Sequence, residues 1–264
     1  PLLAAGRPGP EALRAWADYE AKVGARHSTA TTNAGVFFVQ DLAGGPVGWR
    51  QVALRGEVPT SSVETPGAPG ATIHHWVGAV YLPGVTLDQV LHRLVNQAGT
   101  EHRLYDDVLS SRLLTRDGDR LTVFMRLRRS TVITVVYDTE HAVEYRRLGA
   151  ARGLGLSRST RIAEVADAGT PAERERPPGT DHGFLWRLNA YWRYEATAGG
   201  VLVECESLSL SRSVPLLARP VVSPIVGRVA RDSLIRTLRN LRSVLAPTRQ
   251  HHASSQTAGS SSAE

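Results

Sequence analysis

The sequence has one cysteine, Cys205, and one methionine, and a single lysine, Lys22, among its 31 basic residues. One thiol excludes both an intramolecular disulfide framework and a zinc cage built on thiolates. No run of 18 apolar residues occurs in these 264 residues, which excludes a membrane-spanning helix. There is no G-x-S-x-G elbow to anchor a hydrolase triad. "GLGLSR" (153–158) lacks the spacing and the following helix of a dinucleotide site. No basic run interleaved with aromatics points to nucleic acid, so no nucleic-acid partner is expected. No HExxH or similar ligand spacing supports a metal, and neither a metal nor a cofactor is expected.

The rest is an ordinary globular composition, 42% hydrophobic and 21% charged, long enough to bury a proper core. The formal charge of +6 comes almost wholly from arginine. Arginine in place of lysine, beside abundant Ala, Gly and Val, fits a GC-rich coding bias as well as an anionic partner. The chain begins "PLLAAG" without an initiator Met. A small-residue segment before the first helix fits the start left by a removed signal peptide, and a trimmed chain gives the same start. The expectation is export or the periplasm, with the cytoplasm as the alternative.

Pro10 and Glu11 open a helix carrying Leu13, Trp16 and Val23 to about Arg26. Residues 27–46 read as an irregular connection with one strand at "VFFVQ". "WRQVALRGEV" alternates and reads as a strand, followed by a loop "PTSSVETPGAPG". "TIHHWVGAVYLPG" is a strand, and Thr86 with Gln89 forms a capping box ahead of a helix. From Val108 to Ser211 the chain is nearly all strand. It contains a hairpin at Asp117-Gly118, a surface insert over 167–183 and two long strands around Gly199-Gly200. A helix over about 226–245 carries a stripe of Leu234, Leu238, Leu241 and Leu245, with arginines on an adjoining flank. That basic flank could touch an anionic membrane surface, although closing the sheet is the simpler role. Residues 248–264 are polar throughout, and disorder is expected.

The segments "IHHWVGAVYLPGVTLDQVL", "DHGFLWRLNAYWRYE", "GVLVECESLSLSRSVP" and "RDSLIRTLRNLR" resemble the START-like (SRPBCC) helix-grip superfamily, which includes polyketide cyclase/dehydrase-like and lipid-transfer proteins. The resemblance covers about residues 46–246 and looks like a bacterial branch. It implies an α+β fold, with a curved antiparallel sheet of six to seven strands around the C-terminal helix and an extra N-terminal helix. The division it suggests is a helix and connection over 1–45, a helix-grip domain over 46–247 and a tail over 248–264. It also implies a cavity between sheet and helix for an apolar or amphipathic small molecule, and it transfers no catalytic residue.

A turn of two to four residues at Ala198–Gly200 joins the two long strands. A two-residue turn sets Arg193 opposite Glu204 and Tyr191 opposite Glu206, and the alternative register shifts the pairs but keeps the faces. One face then carries Trp186, Trp192 and Tyr194 with Cys205 and Ser207, and burying such aromatics contributes about 1.5–3 kcal/mol each. This face is expected on the concave side. The Arg/Glu face is expected on the convex side as a cross-strand charge ladder, each pair worth about 0.2–1 kcal/mol. The ligand-lining candidates are Trp76, Trp186, Trp192, Tyr194, Cys205, Ser207, Leu234 and Leu238. A cyclase/dehydrase-type enzyme is the alternative, and it requires a carboxylate or histidine turned inward. His74 and His75 fall on opposite strand faces and cannot share one ion. "DTEH" (138–141) and "TDH" (180–182) read as turn chemistry. Cys205 reads as a buried, inert thiol.

Overall fold

The computed structural model describes residues 7–29, 36–39, 48–130, 134–213 and 219–246, with the backbone alone over 219–228. Its order is α1 (Pro10–Thr29), α2 (Trp49–Leu54), β1 (Thr60–Ser62), β2 (Ala71–Pro83) and α3 (Leu87–Asn96). A 3-10 turn at Glu101–Arg103 leads to β3 (Val108–Asp117), β4 (Arg120–Ser130), β5 (Thr134–Leu148) and β6 (Arg152–Ala166). Then come β7 (Arg174–Glu175), β8 (Arg187–Thr197), β9 (Gly200–Arg212) and α4 (Arg219–Leu245).

The strands form one antiparallel sheet in the order β1-β2-β9-β8-β6-β5-β4-β3, with β7 added beside β6. Among the described residues that makes nine strands, and the two beyond the expected seven are β1 and β7, of three and two residues. Both lie where the composition reads as loop, and pairing with a neighbour is what extends them. The α+β helix-grip arrangement is as expected, with a long C-terminal helix laid on the sheet.

Local signals account for most of the elements. The Thr86 side chain accepts from Gln89 N at 3.2 Å, and the Gln89 side chain accepts from Thr86 N at 2.9 Å, closing the capping box of α3. Asp117 pairs with Arg120 across the β3–β4 turn, where Gly118 has φ 58°. β8 and β9 meet at Thr197 and Gly200, and the two-residue turn puts Arg193 opposite Glu204 and Tyr191 opposite Glu206.

Three expectations are corrected. Trp49–Leu54 is a helix, not a strand. Its Trp49 and Ala53 are both buried, and their i, i+4 spacing serves a helix face where the alternation suggested a strand. Val36–Val39 forms no strand; Phe37, Phe38 and Val39 instead pack with Trp49, Ala53, Val77, Ala79 and Leu202. "DTEH" is no turn, because β5 runs unbroken through it. α4 also starts earlier than expected, at Arg219, with Pro220 suiting its first turn. The polar tail lies outside the described residues.

Both faces of the central strands are covered. On one, Leu234, Leu238, Leu241 and Leu245 of α4 and Leu87 and Val90 of α3 pack with Val80, Leu82, Tyr194, Val203 and Cys205. α4 comes so close to β2 that a Cβ on Gly78 would sit 2.8 Å from Leu238 Cδ1. On the other face, Ala12, Trp16 and Val23 of α1 pack with Ile73, Tyr191, Leu208 and Leu210.

Candidate functional site

Strand register builds the α4 face row by row. Tyr145, Gly155, Trp192, Cys205 and Gly78 stand side by side across β5, β6, β8, β9 and β2. One step along, the row is Val143, Ser157, Ala190, Ser207 and Trp76. The next holds His141 opposite Ser159, Leu188 opposite Ser209, and Ser209 opposite His74. Leu188 N donates to Ser159 Oγ at 2.9 Å, which joins the two halves of that row.

Gly155 shapes the middle of this surface. A Cβ there would meet Tyr145 Cδ1 and Trp192 Cβ, each at 3.2 Å, so the missing side chain is what lets the Tyr145 ring lean across β6. Trp192 and Tyr194 stack with ring centroids 6.4 Å apart and planes 9° from parallel. Burial raises the phenols of Tyr105, Tyr145 and Tyr194 and the thiol of Cys205, so all four are neutral at physiological pH. Tyr105 and Tyr145 nonetheless keep part of their side chains accessible.

The expected lining residues Trp76, Trp192, Tyr194, Cys205, Ser207, Leu234 and Leu238 are brought together on this face. Trp186 is not. It packs with Ala12, Trp16, Tyr191 and Leu210 under α1, and its indole N–H donates to Asp181 Oδ1 at 3.1 Å. Trp186 precedes the first residue of β8, so the period-two alternation that places Trp192 does not reach it. Sequence reasoning passed over His141, Ser157, Ser159, Tyr105 and Tyr145. The alternation His141, Val143, Tyr145 was a usable signal, but only register shows which residues stand beside it.

The opposite face holds a buried charge network, not a solvated ladder. Arg193 Nη1 donates to Glu206 Oε2 at 2.9 Å and to Glu204 Oε1 at 3.3 Å. Arg26 of α1 pairs with Glu206, whose Oε1 also lies 2.9 Å from His75 Nε2. Val39 N donates to Glu204 Oε1 at 2.8 Å, and Tyr19 OH lies 2.8 Å from His75 Nδ1. The expected pairing with Arg193 is present, but Glu204 and Glu206 are both 0% exposed because α1 and residues 36–39 cover them. Exposed convex-side carboxylates are thereby corrected, and neither carboxylate is turned toward α4. Burial, then the positive charge of Arg26 and Arg193, lowers the pKa of His75 to about 3. Burial and Arg193 lower that of His27 to about 4. His74 lies on the other face against Ser211 Oγ at 2.9 Å, so the two adjacent histidines are separated as expected.

A separate open cleft of about 740 Å³ lies at the far end of β3–β6, lined by Arg126, Glu164, Glu173, Arg176 and His182 among others. Arg126 grips Asp138 at 2.7 and 2.8 Å and Glu173 at 2.7 Å, while Arg176 holds Glu164 at 2.8 Å. These cations are already engaged. Among the described residues no group of three or more ligand-type side chains could hold a metal ion, and no helix is long and apolar enough to cross a membrane.

No protein-family model matches the chain, and no curated protein matches it. Several solved structures are similar at low identity. A STAR-related lipid transfer protein from Xanthomonas axonopodis is 20% identical over 70% of this chain and 98% of that one, with a TM-score of 0.47. The Zhui aromatase/cyclase from Streptomyces sp. R1128 is 9% identical over 65% of this chain and 93% of that one, with a TM-score of 0.44. The human StarD13 lipid transfer and protein localization domain is 9% identical over 75% and 94%, with a TM-score of 0.44.

Proposed function

We propose that this protein binds an apolar or amphipathic small molecule between the sheet and α4, against Trp76, Trp192, Tyr194, Cys205 and Ser207, with Leu234 and Leu238 behind. One observation carries the reading. On β8, Asn189, Tyr191 and Arg193 are buried toward α1, whereas Leu188, Ala190 and Trp192 are only half-buried toward α4. On β9, Glu206, Leu208 and Leu210 are buried, and Ser207 and Ser209 are half-buried. Trp76 of β2 is half-buried too.

A face roofed by a helix and rich in aromatics gains about 25 cal/mol for each Å² of apolar surface removed from water. Leaving indole surface open there forgoes that gain unless another molecule covers it. The face is largely apolar with a few placed hydroxyls, the usual make-up of a small-molecule site.

Native mass spectrometry of the purified protein tests this directly. A releasable adduct of small-molecule mass is expected, and Trp192→Ala should lose it while keeping its far-ultraviolet circular dichroism. A protein that carries no adduct, and takes up no apolar probe when offered one, would overturn the reading.

A further inference from the structure

His141 is a polar side chain with no stated task in the fold. It lies in the middle of β5 and is 2% exposed. Its Nδ1 lies 3.3 Å from Ser157 Oγ, and its buried Nε2 has no hydrogen-bond partner. A buried polar atom left unpaired costs about 1–3 kcal/mol, so a ring held this way calls for a partner. Burial, then the charge of Arg129, lowers its pKa to about 4, and the ring is neutral at physiological pH.

The surroundings narrow the partner's chemistry. His141 shares its row with Ser159 and Ser209, and the neighbouring row adds Ser157 and Ser207. The one charged arginine or carboxylate that register adds to these two rows is Arg116, at the exposed β3 end of the Val143 row and two strands from it, where it donates to Asn96 Oδ1 at 3.4 Å. Arg147 stands two rows away beside Gly153 and pairs with Asp88. Arg129 is held by Asp107. A carboxylate or phosphate placed here would be desolvated without a counter-charge, which is costly. An uncharged oxygen would meet a neutral imidazole nitrogen, with the Ser157 hydroxyl beside it.

We infer that His141, oriented by Ser157, is the polar recognition point of the α4 face. It takes an uncharged hydroxyl or carbonyl oxygen on an otherwise apolar ligand. The inference rests on the proposed use of the α4 face as the ligand face. The two proton arrangements of the pair serve the two oxygens. If Ser157 donates to Nδ1, Nε2–H donates to a carbonyl. If Nδ1–H donates to Ser157, Nε2 accepts from a hydroxyl.

A matched series of pyrenes tests this on the 264-residue chain: pyrene, 1-pyrenemethanol, 1-pyrenecarboxaldehyde and 1-pyrenecarboxylate, with dissociation constants read from probe fluorescence. One uncharged oxygenated probe should bind about three- to tenfold more tightly than pyrene, as one net hydrogen bond implies. His141→Leu should erase that preference. His141→Gln, which keeps a donor and an acceptor, should retain part of it, and Ser157→Ala should weaken it; these two serve if the leucine variant does not fold. Equal affinity for pyrene and its oxygenated forms would overturn the role of His141 and leave the apolar site standing. So would tightest binding of the carboxylate, or a preference that survives in His141→Leu. Failure of all four probes would overturn the α4-face reading itself.

Discussion

Arg193 donates to Glu206 at 2.9 Å across the β8–β9 pair, and neither side chain reaches solvent. A second arginine, Arg26, reaches the same carboxylate from α1, and Glu204 completes two anions against two cations. Removing any one leaves a buried charge uncompensated, which is where such networks become costly. The network ties α1 to the sheet from the side away from α4.

Arg193→Met should therefore destabilise the protein by about 3–5 kcal/mol, because two buried carboxylates lose their shared cation. Chemical denaturation measures it. A loss below about 1 kcal/mol would mean that the carboxylates recover solvent or another partner in the variant.

Acid should weaken the fold through two buried histidines. His27 and His75 are 5% and 2% exposed, with pKa values lowered to about 4 and about 3, while an unfolded histidine titrates near about 6.5. Between those values the unfolded chain takes up protons that the folded one refuses. The stability these two groups contribute is complete above about pH 6.5 and is lost as pH falls toward about 4. Melting temperatures should drop steadily over that window, and His27→Gln should flatten the slope. A melting temperature flat from pH 7 to pH 4.5 would refute it.

Leu238 is fully buried where α4 meets Gly78 and Leu234 is 4% exposed, so the stripe anchors the helix. Leu238→Ala should cost about 2–5 kcal/mol. Ending the chain at Pro224 removes all four leucines, about 6–12 kcal/mol of burial before entropy, and should abolish folding. A cooperatively melting 1–224 fragment would show that the sheet stands without α4.

Cys205 should be inert. Its thiol is 2% exposed and its pKa is raised by burial, and it stands between Val203 and Ser207 on the α4 face. Thiol reagents should label the native protein only at the rate at which it unfolds, and denaturant should release full reactivity. Fast labelling of the folded state would instead reveal an open path to the α4 face.

Local rules were enough for much of this protein. Thr86 with Gln89 announced α3, the glycines at 199–200 marked the β8–β9 hairpin, and the leucine spacing picked out the buried edge of α4. Each of these depends on residues a few positions apart, which the chain itself holds together. Alternation also separated Trp192, Tyr194 and Cys205 from Arg193, Glu204 and Glu206. What it could not decide was whether the charged side meets water, because that depends on α1, Phe37 and Phe38, which lie about 150 or more residues away in the chain. The same distance hid Trp186, which lies before the strand begins, and the short helix at Trp49–Leu54, whose spacing fits either element until something covers it. His141 was hidden for a related reason. Its unpaired nitrogen and the serines of its two rows come from three strands, β5, β6 and β9, and only the sheet register puts them in the same rows.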